Sequence, residues 1–307
     1  MRDTRNRITA CFTVPVLLGL FSLAGSPAHG QILLDSTDAL AWDRPEAWAM
    51  KYFAAVSMMG GYAASAQHDP GAISIGFDAG WVPSLSEEER RVGFLGSKVE
   101  DLNRTSAFGR VRASVSLPAR WTLTLGFVPP AEIGGVTPEL YNLALVRPVI
   151  SRSSWTLAAR LHGQTGSLEG DLTCPADVVG STDPAINPEG CLEPSNDEVT
   201  MDYIGLEWTY SRTAGERWRP YVSASANYLD LKFQVRARYS LFLDRTRLLA
   251  DGWTATLAVG TRYRTAGRLA LAGEIFYAPL DVVRDPARGS ENDALLNARL
   301  LIEHRIR

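Results

Sequence analysis

The chain has 307 residues, with 31 Lys and Arg against 34 Asp and Glu, for a formal net charge of -3. That balance gives no basic footprint for nucleic acid, and the length suits one large all-β domain or two smaller ones. Beyond one N-terminal run, no apolar stretch reaches the ~18 to 20 residues that a membrane helix needs.

The first element is an export signal. Arg2, Arg5 and Arg7 precede an apolar run from Ile8 to Ala24, and Ala28-His29-Gly30 forms a small-x-small end. Residues 1–30 therefore read as a cleaved signal peptide. Cys11 lies ahead of the apolar core, which excludes a lipoprotein box. Residues 31–66 follow as an N-terminal segment. Asp43 as cap, Pro45 in the first turn and Glu46 near the dipole predict a helix through EAWAMKYFAAVSMM, with Trp42, Trp48, Tyr52 and Phe53 making it aromatic. This segment either packs at a periplasmic mouth or lies in a lumen as a plug.

From residue 67 to residue 307 the pattern becomes period-two alternation in segments of roughly ten residues. AISIGFDAGW (72–81) sets Ile73, Ile75, Phe77 and Trp81 against Ser74, Gly76, Asp78 and Gly80. FGRVRASVSL (108–117) sets Val111, Val115 and Leu117 against Arg110, Arg112, Ser114 and Ser116. RWTLTLGFVPP, ELYNLALVRP and SWTLAARLHGQ follow, the last with Trp155, Leu157 and Leu161 opposite Thr156, Arg160 and His162. MDYIGLEWTY, RPYVSASANYLDL, WTATLAVGTRY, RLALAGEIFYA and LLNARLLIEHR complete the set.

The connections sort by length. PAR (118–120), SRSS (151–154), TAGER (213–217) and TAG (265–267) are short, and each alternates with a much longer connection. Short turns on one rim and long loops on the other suit a membrane barrel better than a secreted β-sandwich. Trp121, Trp155, Trp208, Tyr210, Trp253, Tyr263 and Tyr277 fall near strand ends on the apolar face, as interfacial girdles do. Cys174 and Cys191 flank a Pro- and Gly-rich loop, and in an exported chain they are expected to form a disulfide exposed to the outside.

These features together resemble the outer-membrane β-barrel proteins of Gram-negative bacteria, over residues 70–307. The expected fold is all-β: a single up-and-down antiparallel transmembrane β-barrel of about ten strands, or twelve, with a short N-terminal helical segment. The resemblance implies the outer membrane as location, a lipid and lipopolysaccharide surround, and assembly by the barrel-assembly machinery. Such barrels usually end in an aromatic residue, whereas this chain ends IEHRIR.

Taking the polar face of each segment as inward lines the lumen with Asp78, Arg110, Arg112, Arg160, His162, Glu207, Arg262, Glu274, Arg299 and Glu303. Counting from the shared loops places Asp78 level with Arg110 or Arg112, Arg160 near Glu207, and Glu274 near Arg299. The expected function is a narrow channel or transporter for a small or hydrophobic solute. A non-conducting structural or binding barrel is the alternative, and an outer-membrane hydrolase the third reading. No catalytic residue is assigned: His162 with Ser167 and Glu169 has no surrounding signature, His68 and His304 should lie at the opposite rim, and no metal or cofactor motif is present.

Overall fold

The computed structural model describes residues 32–62 and 69–306. The expected signal segment 1–30, His68 and Arg307 lie outside the described residues. Ten long strands form the wall: β1 (Ile73–Trp81), β2 (Ala107–Ser116), β3 (Thr122–Val128), β4 (Val136–Ser151), β5 (Trp155–Gly170), β6 (Asp197–Arg212), β7 (Trp218–Gln234), β8 (Arg247–Arg264), β9 (Leu269–Ala278) and β10 (Leu295–Arg305). Each pairs antiparallel with the next, and β10 pairs back onto β1 from Arg299↔Gly80 to Arg305↔Ser74, so the barrel is closed. Closure pairs the backbone groups of the wall within lipid, apart from the outer end of β2.

The strand segments read from sequence are correct in number but too short for half the wall. Strands β4 to β8 run 16 to 18 residues because their alternation continues after changing sign. On β7, Val222, Ala224 and Ala226 point outward up to Tyr228, with Ser223, Ser225 and Asn227 inward. Beyond Tyr228 the outward positions become Asp230 and Lys232, while Leu229, Leu231 and Phe233 turn toward a core. The barrel is thus apolar outside and polar inside within one band, and polar outside and apolar inside above it.

Two aromatic girdles bound that band. At the short-turn end the rings of Trp155 and Tyr210 lie 5.8 Å apart and those of Trp218 and Tyr263 4.8 Å apart, both pairs tilted. At the other end Phe127 meets Tyr141 at 5.1 Å and Tyr228 meets Trp253 at 5.6 Å. From Trp218 to Tyr228 the strand rises about 33 Å along its own axis, which at a ~40° tilt spans about 25 Å, the height of a barrel's lipid belt. Trp208 sits a pleat nearer the belt centre than the girdle position expected of it.

The N-terminal segment runs down through the barrel from the long-loop end. Ile32–Leu34 pairs in parallel with Phe242–Asp244, and Thr37–Ala39 pairs in parallel with Arg247–Leu249 of β8. Helix α1 (Pro45–Ser57) then descends inside the wall. Arg44, rather than Asp43, is its cap residue and makes no side-chain capping bond; the Asp43 carbonyl instead accepts the Val283 N–H at 2.7 Å. Every α1 residue except Phe53 is buried, including Lys51, whose ammonium donates to the Trp42 and Asp281 carbonyls at 2.7 and 2.8 Å. Met58 to Tyr62 continue downward, and the chain rejoins the wall at Ile73 beside Val115, at the short-turn end.

Candidate functional site: the lumen wall and two apolar chambers

Within the belt, the inward polar positions form a charged layer. Antiparallel register sets Asp78 directly opposite Arg110, Arg160 opposite Glu207, and Glu274 opposite Arg299. Asp78 lies 3.3 Å from both Arg110 and Arg112. Arg160 holds Glu207 in a two-pronged pair at 3.0 and 2.7 Å, Arg262 reaches Glu303 at 2.5 Å, and Arg299 stands 4.0 Å from Glu274. All of these side chains except the partly exposed Glu303 are nearly solvent-free, so each pair offsets the cost of burying its partner.

The layer also grips the segment that threads it. Arg299 donates to the Met58 and Ala55 carbonyls at 2.9 and 2.8 Å, satisfying the unpaired end of α1, and Arg160 donates to the Met59 carbonyl at 2.9 Å. A polar chain runs from Asp78 through Arg110, Asn142 and Gln164 to the Ser57 hydroxyl on α1. Gly60 and Gly61 pass where a side chain would collide: an added Cβ would lie 2.3 Å from a Glu274 oxygen and 2.4 Å from a Glu207 oxygen. Below them, a polar cavity bordered by Arg112, Arg160, Arg262 and Glu303 holds about 20 Å³, room for about one water.

His162 is buried at mid-height beside Tyr203, with ring centroids 5.6 Å apart. Ser167 and Glu169 do not approach it, because Leu168 packs inward and its two neighbours therefore point out. His304 lies at the short-turn end, opposite Leu269.

Above the charged layer, two apolar chambers flank α1. One, about 260 Å³, lies toward the long-loop rim and is bordered by Met50, Phe94, Leu172, Val199 and Leu248. The other, also about 260 Å³, is bordered by Val56, Leu140 and Met201 inside the barrel and by Phe77 and Val111, which face lipid. Phe53 and Leu102 line both.

The second chamber reaches through the wall because a seam is unpaired. Strand β2 pairs with β1 along its whole length, but with β3 only from Val111 to Ser116. Its outer end, Ala107 to Arg110, faces Pro129 and Pro130, which have no N–H to donate. Sequence reading missed this opening, since FVPP marks only where a strand stops. It missed the chambers too, because Leu229, Leu231 and Phe233 look like a continued lipid face.

A lid covers the first chamber. The strand Arg91–Val92 pairs with Lys98–Val99 around a tight tip in which Phe94 and Leu95 adopt left-handed conformations. The Leu95 N–H donates to Glu46 at 3.1 Å, and Glu46 is held by Arg44 at 2.8 Å. Beneath the lid, Lys98 bonds Glu100 at 2.7 Å and the Thr173 carbonyl. Burial pushes the Glu100 carboxyl up to about 7 despite the Lys98 ammonium. Cys174 and Cys191 form the expected disulfide in the adjoining β5–β6 connection, but both are buried against Val235, Ala237 and Tyr239 rather than exposed, because the loop folds back on its neighbours.

A closed antiparallel wall with an apolar belt, paired girdles and a polar lumen defines a transmembrane β-barrel of the Gram-negative outer-membrane type. No family model and no curated protein matches the chain. Among solved structures, Ail, the attachment invasion locus protein of Yersinia pestis, is 10% identical, with 77% of this chain and 98% of that chain covered and a TM-score of 0.32. The toluene transporter TodX of Pseudomonas putida is 12% identical, with 80% and 71% covered and a TM-score of 0.31. The outer-membrane protein AlkL is 14% identical, with 81% and 97% covered and a TM-score of 0.28. Likenesses this loose decide neither fold nor function, which rest on the wall and lumen described above.

Proposed function

We propose that the protein conducts small apolar solutes from outside the cell into the outer membrane, leaving the barrel sideways rather than along its axis. The observation that carries this reading is the second chamber, whose border joins lumen residues Val56 and Met201 to lipid-facing Phe77 and Val111 at the unpaired end of β2. An apolar molecule at that point exchanges one apolar surround for another, while the axial path meets desolvated charge. A volume of about 260 Å³ suits a compact hydrocarbon, given that about 150 Å³ suffices for benzene. The N-terminal segment acts as a plug, and the ion pairs of the layer below keep the axis closed to water and ions.

The test is uptake of a radiolabelled monoaromatic hydrocarbon by cells carrying the full chain. Gly109→Trp or Ala131→Trp fills the seam and should reduce uptake about tenfold, whereas Ala255→Trp, on the lipid face of β8, should leave it unchanged. Equal uptake by seam-filled and unaltered protein would overturn the lateral route.

A further inference from the structure

A further cavity, unrelated to solute passage, lies on the outer surface above the membrane band. Beyond the girdle, β7 continues through Ala237–Tyr239 and returns through Phe242–Asp244 into β8, giving a two-stranded ribbon. Its inward positions, Val235, Ala237 and Tyr239, pack with the disulfide in a small core. Its outward positions are Arg236, Arg238, Arg245 and Arg247, all exposed, and these four arginines border a cavity of about 470 Å³ together with Glu193, Gln234 and Leu243.

Four guanidinium groups on one face of a ribbon repel each other unless anions compensate them. Three acids do so in part: Glu198 lies 2.9 Å from Arg236, Asp35 3.5 Å from Arg247 and Glu193 3.7 Å from Arg238. Arg245 makes no side-chain hydrogen bond or ion pair among the described residues. The face thus presents the Arg245 guanidinium without an ion pair among the described residues and a set of forked donors that match phosphate oxygens.

Height identifies the occupant. Arg247 is six residues beyond Trp253 on β8. That distance is about 20 Å along the strand and, at a ~40° tilt, about 15 Å above the girdle. Phosphates at the lipid interface lie well below, and the intervening outward positions, Asp230, Asp251, Lys232 and Leu249, carry a net negative charge that disfavours them. A phosphate at the arginine level must be carried on sugar that stands above the lipid interface.

We propose that this arginine cavity binds a phosphorylated core sugar of the outer-leaflet glycolipid, lipopolysaccharide. The purified full chain is freed of lipid and titrated, with native mass spectrometry as readout, against four probes. These are lipopolysaccharide with a phosphorylated inner core, the same material dephosphorylated in the core, lipid A alone, and inorganic phosphate. The expected result is one bound core-bearing molecule, with affinity at least tenfold lower for the dephosphorylated material and for lipid A. Inorganic phosphate at millimolar concentration should not displace it.

Arg245→Ser/Arg247→Ser should lose about tenfold in affinity. Because Arg247 also holds Asp35, Arg236→Ser/Arg238→Ser is measured in parallel, with heat-modifiable migration as the check that both variants remain folded. Undiminished binding by both folded double variants, equal binding of lipid A, or displacement by free phosphate would each overturn the assignment.

Discussion

Arg160 ties two structures together with one side chain, since its guanidinium serves both Glu207 on the neighbouring strand and the Met59 carbonyl of the threaded segment. Among the described residues, Arg160→Ala leaves Glu207 with only the Thr209 hydroxyl as hydrogen-bond partner, in a site almost free of solvent. Removing one member of a buried pair typically costs about 3 to 5 kcal/mol, whereas removing both costs far less. Arg160→Ala should therefore lower the urea midpoint of the refolded barrel substantially, and Arg160→Ala/Glu207→Ala should recover most of the loss. Two equally unstable variants would mean that the pair contributes through packing alone. The facing residues were legible in the sequence because the short turns share one rim and set each strand's height from it: Arg160 lies six residues after SRSS and Glu207 six residues before TAGER, so the two come level on neighbouring strands. The grip on Met58 and Met59 was not, because nothing in MMGG says which wall it meets.

Among the elements, the lid is one whose stability depends on pH. Glu100 has a folded value of about 7 against an ordinary 4.5, so between those limits the folded lid binds a proton that the opened lid does not. The sign follows directly: lid closure is strongest below the ordinary carboxylate range and weakens as pH rises toward 7, by up to about 1.4 kcal/mol per unit. Hydrogen exchange of the amides from 90 to 100, corrected for intrinsic rates, should show falling protection from pH 5 to pH 7, and Glu100→Gln should flatten that dependence. A slope unchanged by Glu100→Gln would place the titrating group elsewhere. The disulfide acts on a neighbouring element and can be separated from the wall. Its loop closes 17 residues, for about 3 kcal/mol of chain entropy, yet neither cysteine belongs to a barrel strand. Cys174→Ser/Cys191→Ser should leave the barrel heat-modifiable while exposing the β5–β6 connection to protease; loss of the folded barrel band would contradict this. Both elements lie in stretches whose sequence reads as plain loop, because Pro, Gly and charged residues dominate them and their apolar contacts come from distant strands.

For the whole molecule, the decisive feature is the change of sign in the alternation at the outer girdle. Below it a narrow ten-stranded lumen is filled by ion pairs and by a glycine pair threaded between carboxylates, and above it the same strands enclose apolar space around α1. Eight strands are already filled by their own side chains, so two more add space that the threaded segment occupies. Two barriers then lie in series on the axis, and they can be removed one at a time. In planar bilayers the unaltered protein should show no stable conductance. Deleting residues 32–62 removes the helix and the glycines but leaves Asp78 with Arg110 and Arg112, and Arg160 with Glu207, in place across the wall. That variant should give small, stable steps, because wall pairs without the segment they grip leave a wet gap between them. Gly61→Val, whose side chain would strike Glu207, should give intermittent steps of similar size as the segment is displaced and returns. A large conductance in the unaltered barrel would sink the sealed-axis reading, and a silent deletion variant would show that the wall charges close the lumen unaided.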